Sequence, residues 1–414
     1  MSALRRRHAR GCRWAGAIAL VTLLAACGPR VTGEPTLILI SLDGFRWDYM
    51  RWADTPHLDS LVSAGSGAQA LVPAFPTKTF PNHYSIATGL YPGNHGLVAN
   101  TIFDPILADT FALTDRRTVA DGRWYGGEPI WVTAEKQGVK SASMFWPGTE
   151  AEIDGVRPTY WQRYDHNMAA DSVLAQVLRW LDLPAGRSPR FISMYFHGVD
   201  DAGHQNGPDS AGVALAVQRI DSTLGNLFHA LALRQLSAST NILITSDHGM
   251  TWADSARLVY LDDYIDSTQL AVTDWAPVLA LRPHEDSIEA VYNALKGAHP
   301  RLHIYLREEL PPQYHYSSHY RIPPIVGILD LGWQATTHQR FEERRESYTG
   351  GVHGYAPDNS DMHGIFFAAG PDIRSGRQLP AMENIHLYEL MCHLLNLEAA
   401  PNDGALSATK AILR

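Results

Sequence analysis

Thr36-Leu37-Ile38-Leu39-Ile40-Ser41-Leu42 is a largely apolar run of strand length, entered from Pro35 and left through Asp43-Gly44. A run without polar alternation suits a strand buried on both faces, the usual condition in a parallel sheet. Arg190 to Phe196, Asn241 to Thr245 and Gly364 to Ala369 read the same way. Helical patterns fall between them, at Thr55 to Ala64, Asn82 to Gly89, Ala169 to Leu181, Ala211 to Leu233 and Ile385 to Leu397. Strands alternating with helices predict an α/β fold with a doubly wound, mostly parallel sheet flanked by helices. From about 255 to 345 the apolar runs shorten (Val272 to Leu281, Ile325 to Leu331) and Pro, His, Tyr and Arg are frequent. This stretch reads as a small inserted α+β subdomain, with the chain returning to the main sheet near His353.

The chain has 414 residues, 45% hydrophobic and 19% charged, enough to bury a large core in one big domain or two smaller ones. Residues 1–26 read as a targeting segment. Arg5, Arg6, Arg7, Arg10 and Arg13 form its basic start, and Trp14 to Ala26 is an apolar stretch too short to cross a bilayer, which takes ~20 residues. Leu24-Ala25-Ala26-Cys27 resembles a bacterial lipobox, so Cys27 is the expected lipidated N-terminus, followed by a linker over 27–35. Gly28 rather than an aspartate after the cysteine points to the outer membrane. The expected location is therefore the periplasm, on a lipid anchor that is the only membrane attachment. Loss of the segment takes five arginines and moves the formal charge from −9 to −14. So acidic a chain is unsuited to gripping nucleic-acid backbones, although a metal pair can still neutralise a small nucleotide. Lipidation of Cys27 leaves Cys392 alone, which excludes a disulfide framework and a cysteine-based zinc cluster.

Asp43, Asp200 and Asp247 each lie just past the end of a predicted strand, the edge where open α/β sheets bind ligands. An aspartate after a strand is most often a helix N-cap. Three on one edge, two of them with His204 and His248 close behind, point instead to a site. His353 sits in Gly350-Gly351-Val352-His353-Gly354, read as a flexible loop able to approach it closely. With Thr79 these make seven residues of ligand or nucleophile type, a pattern that predicts a hydrolytic centre around two metal ions. Imidazole and carboxylate are good zinc ligands, and two ions ~4 Å apart can bridge phosphoryl oxygens and stabilise a leaving oxygen. Thr79, in Pro76-Thr77-Lys78-Thr79-Phe80-Pro81-Asn82-His83, is a useful nucleophile only when deprotonated. A helix predicted to begin just after it, near Pro81, would turn a positive N-terminus towards a phosphoryl group. Asn100 is the expected donor to a non-bridging oxygen, ahead of the alternative reading as a loop or turn asparagine. His83, His95 and His363, among the 19 histidines, are set aside as packing residues.

The run Pro76 to Tyr84, Leu90-Tyr91-Pro92 with His95-Gly96 and Asn100, Gly127-Glu128-Pro129-Ile130-Trp131 and Phe145-Trp146-Pro147-Gly148 extends this pattern. With Asp200 to His204, Asp247-His248-Gly249-Met250 and His353-Gly354-Tyr355, it resembles the nucleotide pyrophosphatase/phosphodiesterase family of the alkaline phosphatase superfamily, in a bacterial form. The resemblance spans residues 36 to 400 as the catalytic domain and leaves 401–414 as a C-terminal tail. It implies an alkaline-phosphatase-like sheet and two zinc ions per chain, one held by Asp200, His204 and His353, the other by Asp43, Thr79, Asp247 and His248. Thr79 would attack in line to give a phosphothreonine, later hydrolysed by a hydroxide on the first zinc, with release of a nucleoside 5′-monophosphate. Lys78, Phe80, Asn100, Tyr164 and Tyr195 are the expected substrate contacts. Aromatic faces stack on any base, so little base selectivity is expected. The expected partners are nucleotides or other small phosphodiesters, with no specific nucleic-acid binding, and the chain is expected to be a monomer.

Other readings are open. Sulfatases need a Cys or Ser in a Cys/Ser-x-Pro-x-Arg motif that is not found at the nucleophile position. Phosphomonoesterases of the superfamily usually place serine there and add cations, whereas Lys78 is the one obvious cation near Thr79. Choline phosphodiesters or lysophospholipids are the nearest rival substrates. A non-catalytic zinc-binding surface lipoprotein is the remote alternative.

Overall fold

The computed structural model describes residues 34–275 and 277–414, with the backbone alone at 269 and 271–273. The 1–26 leader and Cys27 lie outside the described residues, as does the linker as far as residue 33.

In chain order the strands that matter are β1 (Thr36–Leu42), β2 (Ser66–Ala68), β3 (Ser141–Met144), β4 (Tyr160–Gln162), β5 (Phe191–Phe196) and β6 (Thr240–Thr245). After them come β7 (Thr251–Ala253), β8 (Leu270–Asp274), β9 (Val278–Pro283), β10 (Leu302–Leu306) and β11 (Ile325–Leu329). The last are β12 (Gly350–Val352), β13 (Phe366–Ala369) and β14 (Arg377–Leu379). The main helices are α1 (Pro56–Ala64), α2 (Thr79–Thr88), α3 (Ala170–Leu181), α4 (Gly198–Asn206), α5 (Ala211–Leu233), α6 (Ile288–Leu295) and α7 (His386–Leu395).

One eight-stranded sheet, ordered β14-β2-β13-β6-β1-β5-β3-β4, carries the fold. β1 lies at its centre, parallel to β5 and β6, so that Ile40 stands between Met194 and Ile244. The two-residue period of a strand then divides its side chains between two cores. Leu37 and Leu39 pack with Tyr84 and Ile86 of α2 and with Leu387 and Met391 of α7. Ile38, Ile40 and Leu42 pack on the other face with Val177 of α3 and Val217 and Leu224 of α5. All five strand residues are fully buried, each contributing roughly 1.5–3 kcal/mol of transfer free energy.

The 364–369 segment departs from the parallel expectation. β13 runs antiparallel to both β6 and β2. The chain returns along the carboxyl edge of the sheet, where Gly249 N–H donates to Met362 O and Ser246 N–H to Ile365 O, so it enters β13 at the end where β6 leaves. Residues 401–414 are likewise no free tail. Ile373 and Leu413 form a β-bridge, Arg374 N–H donates to Ile412 O, and Ile412 is buried.

Between β7 and β12 the chain builds a separate antiparallel sheet, β8-β9-β11-β10, with α6 packed on it. Arg321, just before β11, ties this region to the main body. Its Nε donates to Asp104 Oδ2 at 2.6 Å, and its other nitrogens donate to the carbonyls of Gly96, Arg123 and Trp124. Both partners are buried. Asp104→Ala strands the guanidinium and is expected to cost about 3–5 kcal/mol in urea unfolding; a loss below about 1 kcal/mol would show the pair to be incidental.

Candidate active site

Four segments converge at the carboxyl edge of the sheet. Asp43 follows β1 directly, and Gly44 turns the chain with φ of 66°. A Cβ on Gly44 would lie 2.9 Å from the Asp200 backbone and side chain, so only glycine admits that approach. Gly44 N–H also donates to Asp247 Oδ1 at 3.2 Å, linking the ends of β1 and β6. α4 starts two residues past β5 and sets Asp200 and His204 one turn apart. His353 does not come from a loose glycine loop. β12 pairs with β7 in antiparallel register, Val352 opposite Thr251, and this ladder carries His353 to His248 with ring centroids 3.6 Å apart.

The imidazoles share one hydrogen-bonding pattern. Nδ1 of His204 lies 2.9 Å from Gly351 O, Nδ1 of His248 2.9 Å from Gly249 O, and Nδ1 of His353 2.9 Å from Thr77 O. A carbonyl only accepts, so each Nδ1 carries a proton, which leaves Nε2 as the ring atom able to bind a metal. Backbone fixing of the outer nitrogen is the usual support of a metal-bound histidine.

All three Nε2 atoms face carboxylates. His204 Nε2 lies 3.4 Å from Asp200 Oδ2, His248 Nε2 lies 3.4 Å from Asp43 Oδ1 and 3.0 Å from Asp247 Oδ2, and His353 Nε2 lies 3.9 Å from Asp200 Oδ1. A tetrahedral shell with bonds of ~2.1 Å has edges of ~3.4 Å, so the donors are spaced like the corners of an ion's shell. Two groups, Asp43/Asp247/His248 and Asp200/His248/His353, gather donor atoms within 4.8 Å, with His248 common to both. Asp43 Oδ1, Asp200 Oδ1 and Asp247 Oδ2 are buried yet have no hydrogen bond of good geometry. Carboxylate oxygens left so are costly unless a cation compensates them. Burial, with the neighbouring Asp247 and Asp200 charges, pushes the Asp43 carboxyl well above the usual range. Burial, with His248 and His204 alongside, pushes the His353 pKa well down and favours its neutral form. The residues fit a divalent metal pair.

Thr79 is itself the first residue of α2, two positions ahead of the expected start, with Lys78 as N-cap. Its Oγ1 lies 3.4 Å from His248 Nε2, inside the donor group and at the positive end of the helix. Asn100 Oδ1 accepts from Phe80 N–H at 3.0 Å, which leaves the amide NH₂ as its free donor beside Thr79. Tyr195 gives its hydroxyl to Asp43 Oδ2, so only its ring is offered to a ligand. The His83 ring has no lone pair to spare. It touches Thr79 O at 2.9 Å and Ser41 Oγ at 2.8 Å and packs against Asp247, thereby positioning nucleophile and carboxylate together. His95 bonds Ser85 and His363 bonds Pro357 O, both away from the group.

A cavity of about 610 Å³ opens over Thr79, lined by Asp43, Phe80, Asn100, Tyr164, Tyr195, Asp200, His204 and His353. Lys78 is the expected contact that does not line it. Its ammonium is buried against Asp274 at 2.9 Å, because the N-cap position turns it away from Thr79. A cation missed in the sequence stands there instead. Arg116 lines the cavity, pairs with Glu150 and lies 6.0 Å from the Tyr164 ring centre. Leu113, Glu150, His166, His197 and Asp201 also reach the wall. No spacing marked these residues: Arg116 opens a four-residue helix and Asp201 lies in α4, while Leu113, Glu150, His166 and His197 come from turns and loops.

The type I phosphodiesterase / nucleotide pyrophosphatase family profile matches residues 37–356. Human ectonucleotide pyrophosphatase/phosphodiesterase family member 5 is 38% identical over 374 residues, covering 90% of this chain and 76% of that protein. A venom phosphodiesterase of Crotalus durissus collilineatus is 37% identical over 393 residues, covering 92% of this chain and 47% of the relative. The chain thus spans under half the length of the venom enzyme. Among solved structures, murine family member 5, an inactive variant in complex with AMP, superposes with a TM-score of 0.88 at 36% identity, covering 92% of this chain and all of the other.

Proposed function

Because the chain belongs to the type I phosphodiesterase/nucleotide pyrophosphatase family and is an enzyme of that type, we propose that it hydrolyses nucleotide phosphodiester and phosphoanhydride bonds to nucleoside 5′-monophosphates with two zinc ions and a phosphothreonine intermediate. One observation carries the reading: three imidazoles fixed through Nδ1 by backbone carbonyls turn Nε2 onto three under-bonded aspartates, with Thr79 Oγ1 3.4 Å from the shared His248. Asp200, His204 and His353 would hold one zinc, and Asp43, Thr79, Asp247 and His248 the other. When bound, the ions supply positive charge that lowers the Thr79 pKa and offsets charge on the phosphoryl group.

Thr79 Oγ1 attacks phosphorus, the leaving alkoxide or phosphate departs, and water then cleaves the phosphothreonine. The Asn100 NH₂ donates to a non-bridging oxygen as negative charge builds there. Asn100→Ala is expected to lower kcat by about 10²–10³-fold with the metal content unchanged. An unchanged kcat would remove it from the chemistry.

Phe80 and Tyr164 offer ring faces to the base. Their sequence-independent stacking supports broad nucleotide use. The AMP complex of the murine relative supports a nucleotide over a choline phosphodiester. Side-by-side assays of a dinucleotide, a choline phosphodiester, a lysophospholipid and a phosphomonoester test the assignment. Fastest turnover of the dinucleotide is expected, and fastest turnover of any other would overturn it.

We further infer that the protein is bacterial and monomeric and is exported to the periplasm, where Cys27 carries a lipid that holds it to the outer membrane. Leu24-Ala25-Ala26-Cys27 supports this reading. Cys27→Ser is expected to move the protein from the membrane to the soluble fraction. A wild-type protein that is already soluble and has no lipid by mass would contradict it.

A further inference from the structure

His166, His197 and Asp201 form another group of ligating side chains, on the wall of the same cavity. His197 stands just ahead of α4 and Asp201 one turn later, so His197 Nδ1 reaches Asp201 Oδ2 at 2.7 Å. His166 comes from the loop after β4 and brings Nε2 to the same oxygen at 3.3 Å, its ring stacked on His197 with centroids 4.0 Å apart. One donor atom from each lies within 4.8 Å of the others. Two imidazoles converging on a single carboxylate oxygen make a zinc-type donor set, and the 3.3 Å separation is near the ~3.4 Å edge of a tetrahedral shell. The 2.7 Å separation needs only a small side-chain rotation to open to that value. The outer nitrogen of His166 is also partnered, with Nδ1 3.0 Å from the Tyr164 hydroxyl.

We propose that His166, His197 and Asp201 bind a third divalent cation of the zinc class at the wall of the catalytic cavity. Its ligands are separate from those of the inner pair, so it does not depend on the two-zinc reading. Bound there, the ion fixes Tyr164 through His166 and places positive charge on the wall of the cavity that receives the nucleotide. Occupancy therefore strengthens nucleotide binding, through KM more than kcat.

The test uses the purified protein and His166→Ala, both dialysed against micromolar zinc and counted by elemental analysis. His166 is exposed, so the variant keeps its fold. The expected result is one zinc fewer in the variant, with anomalous scattering at the zinc edge among His166, His197 and Asp201 in wild type only. Asp247→Asn, which disturbs the inner pair, is expected to leave that peak in place, so failure of one site is distinguishable from failure of the other. Equal zinc counts in wild type and His166→Ala, with no anomalous peak at the three residues, overturn the proposal.

Discussion

Thr79→Ala is expected to lower kcat on a nucleotide diester by about 10⁴-fold or more, because in the proposed mechanism one oxygen would serve at once as nucleophile and metal ligand. The residue opens α2, so the side chain sits where helix and donor group meet. Alanine suits a helix, so circular dichroism and the urea midpoint should be close to wild type. Thr79→Ser keeps the hydroxyl, loses one methyl and is expected to retain a sizeable fraction of activity. Near-normal turnover by the alanine variant would mean that water attacks phosphorus directly.

The second large effect is metal removal. A chelator is expected to abolish turnover, and zinc to restore it. In Asp247→Asn, where the inner shell loses charge, restoration should fail. Asp43 and Asp247 are buried with the half-buried Asp200 beside them, and their mutual repulsion without a cation should also show as stability. Zinc binding only the folded chain raises the thermal midpoint in step with its concentration. Full activity in chelator, or a midpoint indifferent to zinc, would contradict a metal centre.

How far these residues could be read before their positions were known follows from the physics of each segment. Parallel strands buried on both faces announce themselves as apolar runs, so β1, β5 and β6, with the aspartates behind them, are found from sequence. β13 has the same composition, but its direction depends on where the chain re-enters the sheet, which no local pattern encodes. His353 is evident as a ligand type beside glycines, whereas the β7–β12 ladder that delivers it is three residues long and too short to show periodicity. Lys78 reads as a cation beside the nucleophile. Its partner Asp274 lies 196 residues away, and only the folded chain reveals that the charge is already matched. Arg116 and His166 are hidden for the converse reason, since both reach the cavity only through tertiary packing, Arg116 from a four-residue helix and His166 from a turn.

The measurement closest to the central claim is the stereochemical course at phosphorus. A nucleoside 5′-phosphorothioate diester of known configuration, hydrolysed in oxygen-18 water, reports the number of in-line displacements in its product. Attack by Thr79 followed by attack of water makes two inversions, so the account predicts overall retention, with the label bound to phosphorus. Overall inversion would mean one direct displacement by water and would contradict a phosphothreonine at Thr79.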